Sequence, residues 1–296
     1  MGTIGNFDGH HVGHHALLRR VIESARKAQG TAMVVTFDPH PVKILAPQVN
    51  LRFLTSPEEK LARFEAAGID EVVFLEFTQA FATLSPEIFA ERILFQSLGL
   101  KEIFVGQHFA FGHKRAGTIA DLIALGEPFG CAVHPLSPVV LEGQVVSSTR
   151  IRQLVLAGQV DQAARLLGHY YSLSQVVSSG AGRGHALGCP TANLRLSPDR
   201  VIPADGIYAT VAMIEDKQYD SVSYIGTRPT FDAGERLLEV AILEGTHELY
   251  GKHLSVEFID RIRGDMTFDS EEALRRQIVL DVESAQRVLR RHHHTL

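Results

Sequence analysis

At 296 residues, 45% hydrophobic and 21% charged, the chain is too apolar for disorder and long enough for two separate cores. Its 29 basic and 34 acidic residues leave a net charge of −5, with no electrostatic footprint for nucleic acid or an anionic membrane. No apolar run approaches the length of a membrane span and no signal peptide precedes the first motif. Cys131 and Cys189 lack metal or redox spacing, so the expectation is free thiols in the cytoplasm.

In chain order, strand-like runs at Ala32–Phe37, Glu71–Phe77 and Glu102–Val105 alternate with helical patterns at Ala16–Gln29, Pro57–Ala67 and Pro86–Leu98. That alternation predicts an α/β domain, a doubly wound parallel sheet with ligands beyond the carboxyl ends of its strands. Two short helices follow, near Ser148–Ala157 and Val160–Leu167. Past Tyr170 the runs Ser172–Ser178, Ile207–Ile214, Leu237–Leu243 and Leu254–Ile259 are separated by Gly, Pro and Asp, which predicts a small antiparallel β-barrel. A helix from Ser270 to about Arg290 closes the chain. The boundary is placed at Leu167, giving domains 1–167 and 168–296.

Gly5-Asn6-Phe7-Asp8-Gly9-His10-His11-Val12-Gly13-His14 runs from the short apolar start Thr3–Ile4 into a helix opening near Gly13. Backbone N–H groups and a helix N-terminus then face an anion. His11 and His14, three apart, can donate to a polyphosphate and stabilise charge on a leaving group. A zinc site among His10, His11, His14 and His15 and a solvated histidine turn are the alternatives. Ser147, Ser148 and Thr149 open a helix as phosphate-binding cap residues, with Arg150 and Arg152 adding charge; an ordinary capped helix is the bland reading. In the second half, Gly180-Ala181-Gly182-Arg183-Gly184 lets backbone approach phosphates but lacks the Walker ending. Thr191 and Asn193 offer neutral oxygens suited to magnesium carried by a nucleotide.

The first motif resembles the HxGH nucleotidyltransferase signature in the version carried by bacterial bifunctional riboflavin kinase/FMN adenylyltransferases, the FAD synthetases. Thr36-Phe37-Asp38-Pro39-His40-Pro41, Val105-Gly106-Gln107-His108-Phe109-Ala110-Phe111-Gly112 and Ser147-Ser148-Thr149-Arg150-Ile151-Arg152 follow in that family's order. The 182–193 segment is similar to its GRGxxLGxPTAN kinase signature, and Ile225-Gly226-Thr227-Arg228-Pro229-Thr230-Phe231 and Arg263 with Phe268 match further segments. The resemblance implies that riboflavin is phosphorylated to FMN in the C-terminal domain and that FMN is adenylylated to FAD in the N-terminal one. ATP and Mg2+ serve both reactions, and flavins are substrates and products. It assigns catalysis to Glu239, His11 and His14, and the metal to Thr191 and Asn193. Nucleotide binding falls to Gly5, Phe7, Asp8, Gly13, His108, Ser147, Ser148, Thr149, Arg150, Arg152, Gly182, Arg183 and Gly184. Flavin binding falls to Asp38, Pro39, His40, Tyr224 and Arg263. The partners implied are the small molecules riboflavin, FMN and ATP, without nucleic acid or membrane.

Five positions depart from the family pattern: His10, His108, His185, Cys189 and Tyr224. Members generally carry a longer lead-in before Ile4 that completes the first strand; a missing N-terminal segment would weaken the sheet edge and the adenylyltransferase site. The alternative function is a flavin-binding or regulatory homologue that has lost one or both activities.

Overall fold

The computed structural model describes residues 1–178, 191–215, 217–227, 236–245 and 247–294. The chain divides into two compact units, Met1–Ser148 and Thr149–Leu296.

The first unit is built on a five-stranded parallel sheet in the order β3-β2-β1-β4-β5. Its strands are β1 (Gly2–Ile4), β2 (Met33–Asp38), β3 (Glu71–Glu76), β4 (Glu102–Gly106) and β5 (Ala132–Leu136). Side chains alternate between two cores because the strand period is two. Val35, Ile103 and Val105 join one cluster, while Val34 and Phe104 join the other. On the second face lie α1 (Val12–Lys27), which buries Leu18, Val21 and Ala25, and α3 (Pro57–Ala67), which buries Phe64. Between them in sequence is the short α2 (Pro41–Leu45). The first face is covered by α6 (Ile119–Gly126) and a π-helical stretch, Phe89–Ser97. That stretch continues α5 (Pro86–Ile88), which follows α4 (Gln79–Ala82); Leu98 N–H reaches the Ile93 carbonyl at 3.0 Å, a five-residue step. The helix expected over Pro86–Leu98 is therefore present but wound differently.

One expectation needs correction, that of a weakened sheet edge. α1 starts at Val12, one residue from the opening near Gly13 that the motif predicts and four before the apolar periodicity of Ala16–Gln29, because the His11 side chain caps it. β1 is the central strand, hydrogen-bonded to β2 and β4, so the segment before Ile4 does not form a sheet edge. The compact units divide at Ser148/Thr149, earlier than Leu167. α8 (Val160–Leu167) buries Val160, Ala163, Leu166 and Leu167 and packs on strands of the second unit, which draws it there together with most of α7 (Ser148–Leu156).

A two-stranded hairpin, β6 (Val140–Leu141) and β7 (Gln144–Val145), precedes α7. The second unit carries six antiparallel strands in the order β8-β13-β10-β11-β12-β9. They are β8 (Tyr171–Val176), β9 (Thr191–Arg195), β10 (Gly206–Ile214), β11 (Lys217–Thr227), β12 (Arg236–Ile242) and β13 (His253–Gly264). The sheet curls until its edges meet at a Ser178–Asn193 bridge, a partly closed barrel. Its concave face holds Tyr208, Val240, Val256 and Phe258. On the convex face α9 (Glu271–His293) lays Ala285 and Leu289 against Ala209, Val211, Val222 and Ile259.

Candidate active sites

In a sheet ordered 3-2-1-4-5, connections leave β1 and β4 in opposite directions, so a crevice opens beyond their carboxyl ends. The first motif begins at Gly5, one residue after β1 ends, and His108 lies exposed two residues after β4. Asp38 ends β2 and Pro39 and His40 follow it at the equivalent position, where His40 caps α2. The topology thus gathers three sequence-predicted segments at one end of one sheet.

Within the motif the roles divide. Asp8 is buried, and its carboxylate accepts Leu54 N–H at 2.9 Å, Thr55 N–H at 3.1 Å and the Thr55 hydroxyl at 3.2 Å. It ties the motif loop to the entry of α3, and the Ser148 hydroxyl donates to its backbone carbonyl at 2.8 Å. Phe7 is a core residue, edge-on to Phe64 at 5.5 Å and to His14 at 5.1 Å, so it braces the imidazole from below. His10 is fully buried with its ring 4.4 Å from Phe64, so this histidine is packed into the core, whereas His15 is exposed. No cluster of three His, Cys, Asp or Glu side chains is arranged to hold a metal among the described residues.

His11 and His14 stack at 3.5 Å between ring centroids, 18° from parallel. His11 Nδ1 accepts the His14 backbone N–H at 3.2 Å, so in the neutral ring the proton sits on Nε2. His11 therefore caps α1 with one nitrogen and presents an N–H donor with the other. Gly13 permits this, since a Cβ there would stand 3.1 Å from the His11 ring. Burial depresses the His11 pKa to about 4; burial and the neighbouring His11 hold His14 well below its ordinary value. Both imidazoles are neutral donors at neutral pH.

That depression sets a stability window. Below pH 6.5 the unfolded chain protonates His11 while the folded one does not, so stability falls as pH drops toward 4. Between pH 7 and 5 the first unit should lose about 2 kcal/mol through His11 alone. Urea melts followed in that unit at the two pH values check this; an unchanged midpoint would contradict it.

Lys60, on the opening turns of α3, went unnoticed in the sequence. Its ammonium donates to the Asn6 carbonyl at 2.9 Å, and burial lowers its pKa against the opposing pull of Asp8 and Asp38. The available signal was a cation near a helix N-terminus, where the macrodipole disfavours one. Ser147 and Ser148 close the first unit, while Thr149, Arg150 and Arg152 lie on α7 in the second.

The second unit places its candidates by register. Across adjacent strands Asn193 faces Glu239, Glu239 faces Tyr224, Tyr224 faces Ile207 and Ile207 faces Arg263. Directly opposite residues share a sheet face, so four predicted residues lie on one convex row spanning roughly 19 Å at ~4.8 Å per strand. Thr191 shares that face two residues before Asn193.

The Asn193 side chain is buried, and its Oδ1 meets no hydrogen-bond partner among the described residues. Such an oxygen is costly unless something binds it. Tyr224 lies back along its strand over Gly226, where an added Cβ would overlap the phenol. Its hydroxyl hydrogen-bonds Asp265, and burial, followed by the charges of Asp265, Asp205 and Glu239, pushes its pKa up to about 12.

Arg263 forms a two-pronged ion pair with buried Asp281 of α9, at 2.9 and 2.7 Å, and its guanidinium sits 5.9 Å from the Phe268 ring. Gln277 donates to the same carboxylate at 2.9 Å. Much of the Arg263 fork is thus spent joining helix to sheet. Asp281 was hidden in the sequence by the polar periodicity of α9. Gly182, Arg183 and Gly184, like His185, Cys189 and Arg228, lie outside the described residues.

The FAD synthetase family profile matches residues 1–150 and the riboflavin kinase profile residues 167–289. A bifunctional riboflavin kinase/FMN adenylyltransferase of Pseudomonas fluorescens is 36% identical over 292 residues, covering 97% of this chain and 92% of that one. The protein of the same name from Escherichia coli K12 is 35% identical over 285 residues, covering 96% and 91%. A crystal structure described as a macrolide-efflux protein from Streptococcus pneumoniae superposes with a TM-score of 0.88 at 33% identity, covering 96% of this chain and 93% of that one. Among the described residues no helix is long and apolar enough to cross a membrane.

Together the fold and the matches define a two-domain, nucleotide-using transferase. More narrowly, the chain belongs to the family of bifunctional riboflavin kinase/FMN adenylyltransferases.

Proposed function

We infer that the chain makes FAD from riboflavin in two ATP-dependent steps, phosphorylation by the C-terminal part and adenylylation by the N-terminal part. The observation that carries this reading is the row Asn193–Glu239–Tyr224, which sets a carboxylate beside a buried amide whose Oδ1 meets no partner among the described residues.

In the kinase step the ribityl hydroxyl of riboflavin attacks the terminal phosphate of ATP. Glu239 accepts the hydroxyl proton as the new oxygen–phosphorus bond forms and the bond from the γ-phosphorus to the bridging oxygen breaks, releasing ADP. Asn193 Oδ1 and the Thr191 hydroxyl fit a magnesium ion held chiefly by the nucleotide, since both are neutral oxygens and the first has no other partner among the described residues. When bound, that ion neutralises phosphate charge. Tyr224 borders the flavin end of the row, and Arg263, locked by Asp281, fixes the far end.

In the second step the FMN phosphate attacks the α-phosphate of ATP and pyrophosphate leaves. The nucleophile is already anionic, so no base is required. The Nε2–H of His11 and the His14 ring stabilise charge on the leaving group, with Ser147 and Ser148 alongside. Asp8, Phe7, Gly5 and Gly13 hold this constellation in place. Asp38, Pro39, His40 and exposed His108 border the mouth of the crevice, where the flavin and nucleotide enter. Thr149, Arg150 and Arg152, together with Gly182, Arg183 and Gly184, complete the nucleotide-binding assignments.

We place the functional boundary at Leu167, next to the start of the kinase profile at residue 167. ATP and flavins as substrates suit the cytoplasm, without nucleic-acid partners. Incubation with riboflavin, ATP and magnesium should yield FMN and then FAD by chromatography. Unchanged riboflavin, together with unchanged FMN when FMN is supplied, would overturn the reading.

Gly226→Ala should displace the Tyr224 phenol and raise the KM for riboflavin by about tenfold, the effect of roughly 1.4 kcal/mol, while FMN adenylylation is unaffected. Kinase assays at graded riboflavin concentrations check this.

A further inference from the structure

Lys60 is half-buried and lies beside the first motif, yet its ammonium forms no ion pair within 4.0 Å among the described residues. Asp8, whose charge acts on Lys60, accepts the Leu54 and Thr55 amides and the Thr55 hydroxyl. An ammonium carries three donors, and the Asn6 carbonyl takes one at 2.9 Å. A burial of this kind costs stability unless a negative group completes it.

The surroundings state what that group is. Lys60 interacts electrostatically with His14, Asp8 and Asp38, which stand at the carboxyl ends of β1 and β2. Its position is set by the motif itself. Asp8 fixes the backbone at Leu54 and Thr55, and the Ser56–Glu59 capping box then starts α3 in register. Asn6 receives Lys60 from the other side. The motif and the lysine are therefore assembled by one set of bonds.

We propose that Lys60 is a phosphate-binding residue of the adenylyl transfer, its ammonium contacting the nucleotide polyphosphate alongside His11 and His14. This rests on the N-terminal domain carrying FMN adenylylation. Lys60 supplies the permanent positive charge that two neutral imidazoles lack. It neither accepts nor gives up a proton. Its contribution grows as negative charge builds on the departing pyrophosphate, and persists while that product is bound.

The test compares the full-length protein with Lys60→Met and Lys60→Arg. FMN adenylylation in wild type first establishes the reaction on which the proposal rests. In Lys60→Met that reaction should fall on the order of 100-fold, as for loss of one charge-stabilising donor; riboflavin phosphorylation should stay unchanged. Lys60→Arg should recover a substantial part.

Inorganic pyrophosphate is the binding probe. It should raise the melting temperature of wild type and Lys60→Arg, and leave Lys60→Met unmoved. Without ligand, Lys60→Met should melt no lower than wild type, because a poorly compensated buried charge has been removed. A lower melting temperature in Lys60→Met with pyrophosphate protection intact would make the lysine a structural tie to Asn6 and overturn the proposal. Retained adenylylation in Lys60→Met would overturn it as well.

Discussion

Glu239→Gln should reduce the kcat of riboflavin phosphorylation by about 10²–10⁴, the usual weight of a positioned general base, with little change in KM. Gln keeps the shape and the acceptor oxygen but cannot take the hydroxyl proton. Because Glu239 faces Asn193 on one side and Tyr224 on the other, the substitution leaves the row intact. Conversion of FMN to FAD should be unaffected, since that chemistry belongs to the other unit. A second readout follows from the charge removed. Glu239 contributes to raising the Tyr224 pKa, so the phenol should titrate lower in the variant. Kinase activity within a few-fold of wild type would remove Glu239 from the role.

His11→Ala should lower FMN adenylylation by about 10²–10³, as for loss of one donor to a developing anion, while sparing the kinase. It also removes the α1 cap, which costs about 1 kcal/mol. His11→Asn separates the two effects, because Asn caps helices well but its shorter side chain cannot carry an N–H donor out to the position of Nε2. The Asn variant should regain most of the stability and little of the activity. Both variants should lose the acid sensitivity that His11 confers between pH 6.5 and 4. Full adenylylation in His11→Asn would reduce His11 to a helix cap.

Much of the fold was legible because its elements obey local rules. Pro57–Ala67 was placed to the residue, and the structure shows why: Ser56 and Glu59 form a capping box, Pro57 opens the helix, and Gly68 at φ 89° ends it. β11 was missed for an equally physical reason. Its concave face carries Ser221 and Ser223, which bond the Thr210 hydroxyl at 2.8 Å each, so polar residues fill positions where alternation expects apolar ones. β9 went unread because Thr191 and Asn193 were taken as motif rather than strand, although they are both. Apolar periodicity alone puts the start of α1 late, whereas the motif puts it near Gly13, one residue from the imidazole-capped Val12.

For the candidate sites, sequence supplied the residues and structure supplied the division of labour. Phe7 and Asp8 belong to the framework that aims His11 and His14, a distinction that needs the contacts of Phe64 and Thr55. The Asn193–Glu239–Tyr224 alignment depends on pairing between strands far apart in the chain. Lys60 lies 46 residues beyond His14 and joins it only through the fold.

Strand register gives the barrel a built-in check on its own assembly. Side-chain direction alternates at every residue, so a slip of one position in β12 would turn Glu239 inward and Leu238 outward. The same slip would separate the carboxylate from Asn193 and strip Leu238 from the core. A barrel assembled in the wrong frame therefore forfeits cohesion and chemistry in one stroke. Molecules stable enough to persist are then those already armed for catalysis, and partly active misassembled forms should be scarce in a purified population.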